Sequence, residues 1–241
     1  MLRQQPLVLG LFIVSLWSFL CYGIDLYRAD SRSPAAIESA GGFLPKGLST
    51  VGAVSADISL WNHVHGAPSG ASKDNDGYVS TTSDPGLAAR WVTNFLRGNG
   101  YIYRIHAAPN MIDCEATLGR FNPYPDEKEF AAIGGIKNAQ IIGWTPVKNG
   151  VKGKEQLNPF FSSHIYSQMG NAGAQYKLAA FPAGHQAWSE DPWKAYSSCN
   201  AHPKRSARDL GLKRAGCGPA KSNQAYAHDY LGFVKAVCSE C

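Results

Sequence analysis

Short runs with strand composition recur along the chain, separated by polar segments that contain glycine and proline. Alternating or β-branched and aromatic residues predict four strands, at Ile24–Arg28, Tyr78–Thr82, Tyr101–Ala107 and Ile141–Val147. Proline has no backbone N–H to donate, so Pro146 predicts an edge position for the last strand.

Capping residues predict where helices begin. Ser33-Pro34 opens a short helix, because serine caps well and proline fits the first turn. Asp84–Arg97 is predicted as a longer helix that stops at Gly98, and Asp57–His65 as a helix that stops at Gly66. Short strands interrupted by helices and long loops predict an α+β domain and not a regular βαβ array.

The first 23 residues are predicted to be a cleaved secretory signal peptide. Arg3 precedes an apolar run of 14 residues, Leu7–Leu20, which is shorter than the roughly 20 residues that span a bilayer. Cys21 and Gly23 fit the positions before a cut at Ile24. A buried N-terminal helix is the alternative, although the run has no polar face. We therefore expect a secreted protein without a membrane span.

Composition and charge narrow the function. The chain has 241 residues, 44% of them hydrophobic and 17% charged, which fits one globular domain. Residues 24–198 contain 15 basic and 15 acidic residues, whereas residues 199–241 contain 7 and 3. Four of the five net positive charges therefore lie in one basic tail, and the fifth is Arg3, so a broad nucleic-acid-binding surface is not supported.

Five cysteines follow the predicted signal peptide, at positions 114, 199, 217, 238 and 241. Disulfides are expected in a secreted protein, and the odd count leaves either one free thiol or a retained Cys21. Cys238 and Cys241 have the spacing of half a zinc site, but no second pair completes it, so no metal is expected.

Five motifs then occur in a fixed order between about Leu26 and Trp193. They are Leu26–Arg32, Gly77–Thr82, Ala108–Met111, Pro125–Glu129 followed by Ala131–Gly135, and Phe181–Trp188. Together they closely resemble the enzymatic A subunit of cholera toxin and heat-labile enterotoxin. That family transfers ADP-ribose from NAD to arginine side chains of host proteins. The resemblance implies a mixed α+β ADP-ribosyltransferase fold with short strands around an NAD cleft, and NAD as co-substrate.

The family's catalytic residues can be carried over onto this sequence. Its arginine, Ser-Thr-Ser strand and Glu-x-Glu pair fall on Arg28, on Ser80, and on Glu127 with Glu129. The third strand position departs from the family pattern, because Thr82 replaces serine. Threonine keeps a hydroxyl group and favours a strand, so we expect the support of the site to survive.

The resemblance also implies an NAD-binding set. Arg28 presents a planar fork of donors that suits a pyrophosphate, and Ala29, Asp30, Ser80 and Thr82 are expected beside it. The alternative for Arg28 is an ordinary surface ion pair with Asp30 or Asp126.

His63 matches a family histidine near the nicotinamide site, and it could equally be a capping or core histidine.

The two glutamates receive distinct roles. On an extended segment, Glu127 and Glu129 would point to one face with α-carbons roughly 7 Å apart. By resemblance, Glu129 stabilises the ribosyl cation through the 2′-hydroxyl, Glu127 takes a proton from the incoming guanidinium, and Ser80 holds Glu129. Pro125-Asp126-Glu127 is also typical of a helix start, and a strand serine can simply bond to backbone.

Two further expectations concern the walls of the cleft. Residues 66–77 are rich in Gly, Ser and Asp, which predicts a mobile surface loop; the family has a loop there that covers the active site. Five tryptophans are expected in the core or in cleft walls, at positions 61, 91, 144, 188 and 193.

The C-terminal region is predicted to follow the catalytic domain of residues 24–198. In the family, a cysteine pair like Cys199 and Cys217 brackets a protease-sensitive loop, here residues 199–217, and residues 218–241 form a tail. This loop is rich in lysine and arginine. The alternative is a basic surface loop with a purely structural disulfide. Only 24 residues follow Cys217, and no KDEL-like signal ends the chain, which argues against a pentameric delivery subunit.

The sequence therefore predicts a secreted mono-ADP-ribosyltransferase toxin that acts inside a host cell on an arginine of a host protein. A G-protein α subunit is the family's best-known target. An NAD glycohydrolase, in which water replaces the guanidinium, is the alternative among enzymes. A secreted binding protein that keeps the fold without catalysis is the alternative from another class, and the complete set of Arg28, Ser80, Glu127 and Glu129 argues against it.

Overall fold

The computed structural model describes residues 23–49, 56–66, 72–201 and 216–238. Most of the predicted signal peptide, residues 67–71 of the predicted loop and residues 202–215 of the predicted protease-sensitive segment lie outside this part of the chain.

Ten strands and eight α-helices occur within the described residues. The strands are β1 (Asp25–Asp30), β2 (Gly42–Phe43), β3 (Tyr78–Thr82), β4 (Gly100–His106), β5 (Met111–Asp113), β6 (Glu129–Ile133), β7 (Ile136–Lys137), β8 (Ile141–Lys148), β9 (Val151–Lys152) and β10 (Gln156–Leu157). The helices are α1 (Pro34–Ser39), α2 (Lys46–Ser49), α3 (Leu60–His65), α4 (Pro85–Phe95), α5 (Cys114–Leu118), α6 (Ser163–Tyr166), α7 (Ser198–Ala201) and α8 (Asn223–Val237). The predicted α+β class is confirmed.

The main sheet has the strand order β10-β8-β4-β1-β3-β6-β5, with β9 also paired to β8. Its neighbouring strands run antiparallel. Strand β1 pairs with β4 at six positions, from Asp25 to Asp30. With β3 it shares one register pair among the described residues, between Tyr27 and Thr82. The two central strands therefore part from each other, and this divergence opens the sheet where the candidate site lies.

The start of α3 corrects the predicted helix Asp57–His65. Asp57 forms an isolated bridge with Asp76 instead, and its Oδ1 accepts a hydrogen bond from the Ser59 N–H at 3.0 Å. The Ser59 hydroxyl then caps the helix by accepting from the Asn62 N–H at 3.1 Å. The tertiary pairing of Asp57 delays the helix until Leu60.

Other predicted bounds hold to within two residues. Ser33 and Asp84 are the caps of α1 and α4, and β3 has the predicted bounds. Helix α4 ends at Phe95, two residues early, because Arg97 takes a left-handed conformation with φ of 54° that a helix cannot use.

Strand β8 is not at the edge of the sheet, in contrast to the interpretation of Pro146. Residue Pro146 pairs with Tyr101 of β4 on one side. On the other side lie β9 and β10, each two residues long. Strand β10 pairs with β8 before Pro146, and β9 pairs with it after Pro146. The missing N–H therefore falls between two short neighbours and is tolerated there.

Helix α8 packs into the hydrophobic core that lies beside the main sheet. It buries Tyr226, Ala227, Tyr230 and Val234, which join a cluster that includes side chains of β3, β6 and α5. The Tyr230 hydroxyl donates to the Pro109 carbonyl at 2.5 Å. Residues 218–238, predicted as a tail, are thus attached to the domain by buried aromatic side chains. No helix in the described part of the chain is long and apolar enough to cross a membrane.

Three described cysteines are disulfide-bonded and one is free. Cys199 and Cys217 form the predicted disulfide, with their α-carbons 5.4 Å apart. Cys238 is also disulfide-bonded. Cys114 is buried with a free thiol.

Candidate active site

A cleft of about 610 Å³ lies where β1 and β3 diverge. Its lining includes six of the predicted site residues, namely Arg28, Ala29, Ser80, Thr82, Glu127 and Glu129. Ser72 and Trp91 lie on the same lining, so Trp91 is a cleft wall and Ser72 of the predicted loop reaches the cleft. The other two predicted residues, Asp30 and His63, are not on this lining and contact residues that are.

Arg28 is fixed to both diverging strands. Its Nη1 donates to the Ser80 carbonyl at 2.8 Å, and its Nε lies 3.5 Å from Asp30 Oδ2. The guanidinium sits over the Phe43 ring at 5.2 Å, a cation–π distance. The ion pair with Asp30, which was the alternative interpretation, is therefore present. Arg28 nevertheless lines the cleft as well, and 26% of its side chain is exposed.

Asp30 is the support of this arginine. Arg32 donates two hydrogen bonds to the Asp30 carboxylate, from Nε to Oδ1 at 2.9 Å and from Nη2 to Oδ2 at 2.8 Å. Burial alone would raise the pKa of Asp30, but the Arg32 hydrogen bonds and the Arg28 charge lower it. An ionised Asp30 in turn keeps Arg28 oriented.

The two glutamates do not share one extended segment, which corrects the predicted geometry. Residues Pro125–Glu127 form one turn of 3-10 helix, and Glu129 is the first residue of β6. Lys128 between them is left-handed, with φ of 46°. The helix-start interpretation is thus partly right, since Pro125 does open a helical turn. The turn nevertheless brings both carboxylates to the same cleft.

Glu129 is held by His63, whose Nε2 lies 3.0 Å from Oε1. The Ser80 hydroxyl lies beside the same ring nitrogen, at 3.3 Å. Burial alone would raise the pKa of Glu129, but the His63 charge and interactions with His63, Ser80 and Cys114 lower it. Glu129 therefore stays ionised in a largely water-excluded position.

Glu127 is shifted the other way. Burial raises its pKa, the Glu129 charge raises it further, and His63 partly opposes both. The Thr82 hydroxyl donates to the Glu127 carbonyl at 2.7 Å and accepts from the Asp84 N–H at 3.0 Å. The threonine that departs from the family pattern thus fixes the backbone that carries Glu127.

His63 lies behind Glu129, buried on α3. Its Nδ1 is 2.7 Å from Asp76 Oδ2, and its Nε2 also lies 3.3 Å from the Ser80 hydroxyl. Burial alone would lower the pKa of His63, but the Glu129 charge and the Asp76 hydrogen bond raise it to about 10. It is therefore a buried cation that contacts the candidate catalytic carboxylate.

Two residues of the site, Asp76 and Cys114, were not predicted from the sequence. Asp76 belongs to the polar stretch that predicted a loop, and no local signal marks it as the partner of a residue 13 positions earlier. Cys114 was predicted only as a disulfide candidate. Its contact with Glu129 depends on how α5 packs against β6, which the sequence pattern does not specify.

The sequence matches known proteins over most of its length. A family model described as heat-labile enterotoxin alpha chain matches residues 6–229. Heat-labile enterotoxin IIB A chain of Escherichia coli is 35% identical over 94% of this chain and 88% of its own. The A subunit of the cholera enterotoxin of Vibrio cholerae is 39% identical over 83% and 81%. A protein named NAD(+)--arginine ADP-ribosyltransferase, also of Vibrio cholerae, is 41% identical over 70% of this chain and 29% of its own.

The fold also matches solved structures. A double mutant of heat-labile enterotoxin superimposes with a TM-score of 0.68 and 33% identity, over 88% of this chain and 92% of that one. Another heat-labile enterotoxin mutant, from Escherichia coli, gives a TM-score of 0.64 and 38% identity, over 70% and 96%.

Proposed function

The protein belongs to the heat-labile enterotoxin alpha chain family and is an ADP-ribosyltransferase, and we propose that it transfers ADP-ribose from NAD to an arginine of a host protein. The observation that carries this proposal is the pair of carboxylates in one cleft whose pKa values shift in opposite directions. Such a pair separates a permanently ionised group from one that can exchange a proton.

Glu129 is proposed to act on the bond that breaks. When the N-glycosidic bond between nicotinamide and ribose cleaves, its electron pair leaves with nicotinamide and an oxocarbenium-like cation develops. A fixed carboxylate stabilises such a cation as its charge grows. His63 Nε2 orients the Glu129 carboxylate, and His63, Ser80 and Cys114 favour its ionised form, so little reorganisation is needed during the reaction.

Glu127 is proposed to act on the acceptor. A protonated guanidinium is a poor nucleophile, so it must lose a proton as its nitrogen attacks the ribosyl carbon. A carboxylate with a raised pKa is a better base than an ordinary glutamate. The products are nicotinamide, ADP-ribosyl-arginine and one released proton.

Arg28 is proposed to capture the NAD pyrophosphate. Its guanidinium lines the same cleft as the glutamates and is held by Ser80 and Asp30. A preoriented arginine fork binds phosphate oxygens with charge-assisted hydrogen bonds. Ala29, next to Arg28 in the chain, and Thr82 on β3 also line the cleft.

The delivery of the enzyme is part of the proposal. Its relatives are enterotoxin chains, and the predicted signal peptide supports secretion. The Cys199–Cys217 disulfide closes a loop with a sequence separation of 18, and this loop contains the basic residues expected to be cut by a protease. We propose that cleavage and reduction precede action inside the host cell.

The function is tested by incubating the purified protein with adenine-labelled NAD and agmatine, a small guanidino acceptor. Labelled ADP-ribosyl-agmatine should form together with an equal amount of nicotinamide. Free ADP-ribose as the sole labelled product would indicate an NAD glycohydrolase instead. Absence of both products, with the protein folded, would favour the non-catalytic binding protein.

A further inference from the structure

Asp76 is a buried carboxylate that the proposed mechanism does not use. It is 4% exposed and ends the segment that leads into β3. Its Oδ2 lies 2.7 Å from His63 Nδ1, while His63 Nε2 lies 3.0 Å from Glu129 Oε1. One imidazole is therefore bracketed by two carboxylates, one of which faces the cleft.

Hydrogen-bond chemistry determines the state of this imidazole. An ionised carboxylate can only accept hydrogen bonds, so each ring nitrogen of His63 must carry a proton to satisfy its partner. The ring is then an imidazolium, with Nδ1–H donating to Asp76 and Nε2–H donating to Glu129. A neutral ring could donate to only one of the two carboxylates.

Asp76 is itself fixed from several sides. Its Oδ1 accepts from the Tyr78 N–H at 3.0 Å, and its carbonyl accepts from the Gly47 N–H at 2.8 Å. Its own N–H donates to the Lys73 carbonyl at 3.1 Å. Gly47 approaches so closely that a Cβ there would lie 2.5 Å from the Asn75 carbonyl oxygen. The carboxylate is thus preorganised, with Oδ2 left to face the imidazole.

Other charged groups lie around the ring, and they must be considered together. The titratable groups that face His63 from the elements packed against it are Asp76, Tyr78, Glu127 and Glu129, with Asp57 and Lys73 on the small cavity beside it. Of these, Asp76 and Glu129 are the described carboxylates within hydrogen-bond distance of a ring nitrogen.

We propose that Asp76 is a positioning residue for ADP-ribose transfer, because it orients the His63 ring and keeps it doubly protonated so that Nε2–H holds the Glu129 carboxylate. This inference rests on the proposed function. Asp76 touches no substrate and acts through two residues in series. Its loss leaves the cleft in place and removes the fixed cation beside Glu129.

Asp76→Asn tests this proposal, with Asp57→Asn as the matched control. The asparagine Oδ1 can still accept from the Tyr78 N–H, but a neutral amide no longer supports an imidazolium. Asp57 is bonded to the same helix, accepting from Asn62 Nδ2 at 2.8 Å, and makes no hydrogen bond to the imidazole among the described contacts. Loss of a carboxylate near α3 is thus common to both variants.

The expected result combines a rate effect and a pH effect. In Asp76→Asn, kcat for agmatine should fall about tenfold or more, while KM for NAD changes less than about twofold. Glu129 loses a stabilising cation, so its pKa rises and the acid limb of the kcat profile should move up by about one pH unit. Asp57→Asn should show neither change, and equal behaviour of the two variants would overturn the proposal.

A second measurement on the unmodified protein does not depend on activity or on folding of a variant. NMR of nitrogen-labelled histidine, with the His63 signal assigned by its loss in His63→Gln, reports the protonation of both ring nitrogens. A doubly protonated ring at about pH 8 is expected, and a neutral ring there would overturn the proposal. If the unmodified protein shows no transfer, the proposed function fails, while this measurement still decides the state of His63.

Discussion

The buried His63 should make the stability of the protein depend on pH in the alkaline range. Its side chain is 3% exposed. Burial alone would lower its pKa, but the Glu129 charge and the Asp76 hydrogen bond raise the pKa from 6.5 to about 10. In the unfolded chain the imidazole returns to its ordinary value, so the folded protein holds one extra proton between these two pH values.

The sign and size of the effect follow from proton linkage. A raised pKa in the folded state stabilises the protein fully below pH 6.5 and loses this contribution as pH rises towards about 10. One extra bound proton corresponds to a slope of about −1.4 kcal/mol per pH unit. From about pH 7.5 to about pH 9.5, His63 should therefore remove about 3 kcal/mol from the free energy of unfolding.

Urea unfolding with the disulfides intact, followed by tryptophan fluorescence, measures this effect. The control is His63→Gln, which lacks the titrating ring. Other groups contribute to both proteins, including the Cys114 thiol, whose pKa is raised by burial and then by the Glu129 charge. These contributions cancel in the difference. The stability gap between the two proteins should narrow by about 3 kcal/mol over this range, and parallel curves would refute the buried imidazolium.

Three further variants test separate parts of the site. Glu127→Gln should abolish arginine transfer and leave measurable NAD hydrolysis, because the proton acceptor is lost and the cation stabiliser remains; equal loss of both would contradict the division of roles. Arg28→Lys should weaken NAD binding in calorimetry by about tenfold, because an ammonium cannot make two parallel contacts; unchanged affinity would favour a purely structural ion pair. Replacing Cys199 and Cys217 by serine should lower the free energy of unfolding by about 3 kcal/mol in urea titration, and no change would exclude that stabilisation.

Local signals in the sequence predicted much of the fold. Ser33 and Asp84 cap their own helices through bonds to the next few residues, and such signals can be found without knowing the rest of the structure. The predicted start of α3 was wrong because Asp57 pairs with Asp76, which lies 19 residues later in the chain. Likewise, the burial of Tyr226 and Tyr230 depends on which surface α8 meets, and the spacing of apolar residues in the helix does not identify that surface.

The candidate site divides in the same way. The motifs placed Arg28 and Glu129 on the first strand and in the acidic pair, and both line the cleft. The arrangement of the pair was predicted as extended because spacing alone cannot show that Lys128 turns left-handed. Asp76 was missed because its role depends on a contact with His63 through the folded chain. Contacts between residues from separate segments cannot be predicted from local sequence patterns and become visible only in the folded structure.

The central claim is that an ionised Glu129 in the cleft stabilises the ribosyl cation. Nicotinamide release tests this claim most directly. Glu129→Gln should be compared with Asp126→Asn. Asp126 lies in the helical turn that precedes Glu129, its side chain is exposed, and it is not on the cleft lining. With both variants shown to be folded, Glu129→Gln should lose transfer and NAD hydrolysis by about a hundredfold or more, because no charge remains to stabilise the ribosyl cation. Asp126→Asn should retain both activities. Nicotinamide release by Glu129→Gln within about tenfold of the unmodified protein would contradict the account.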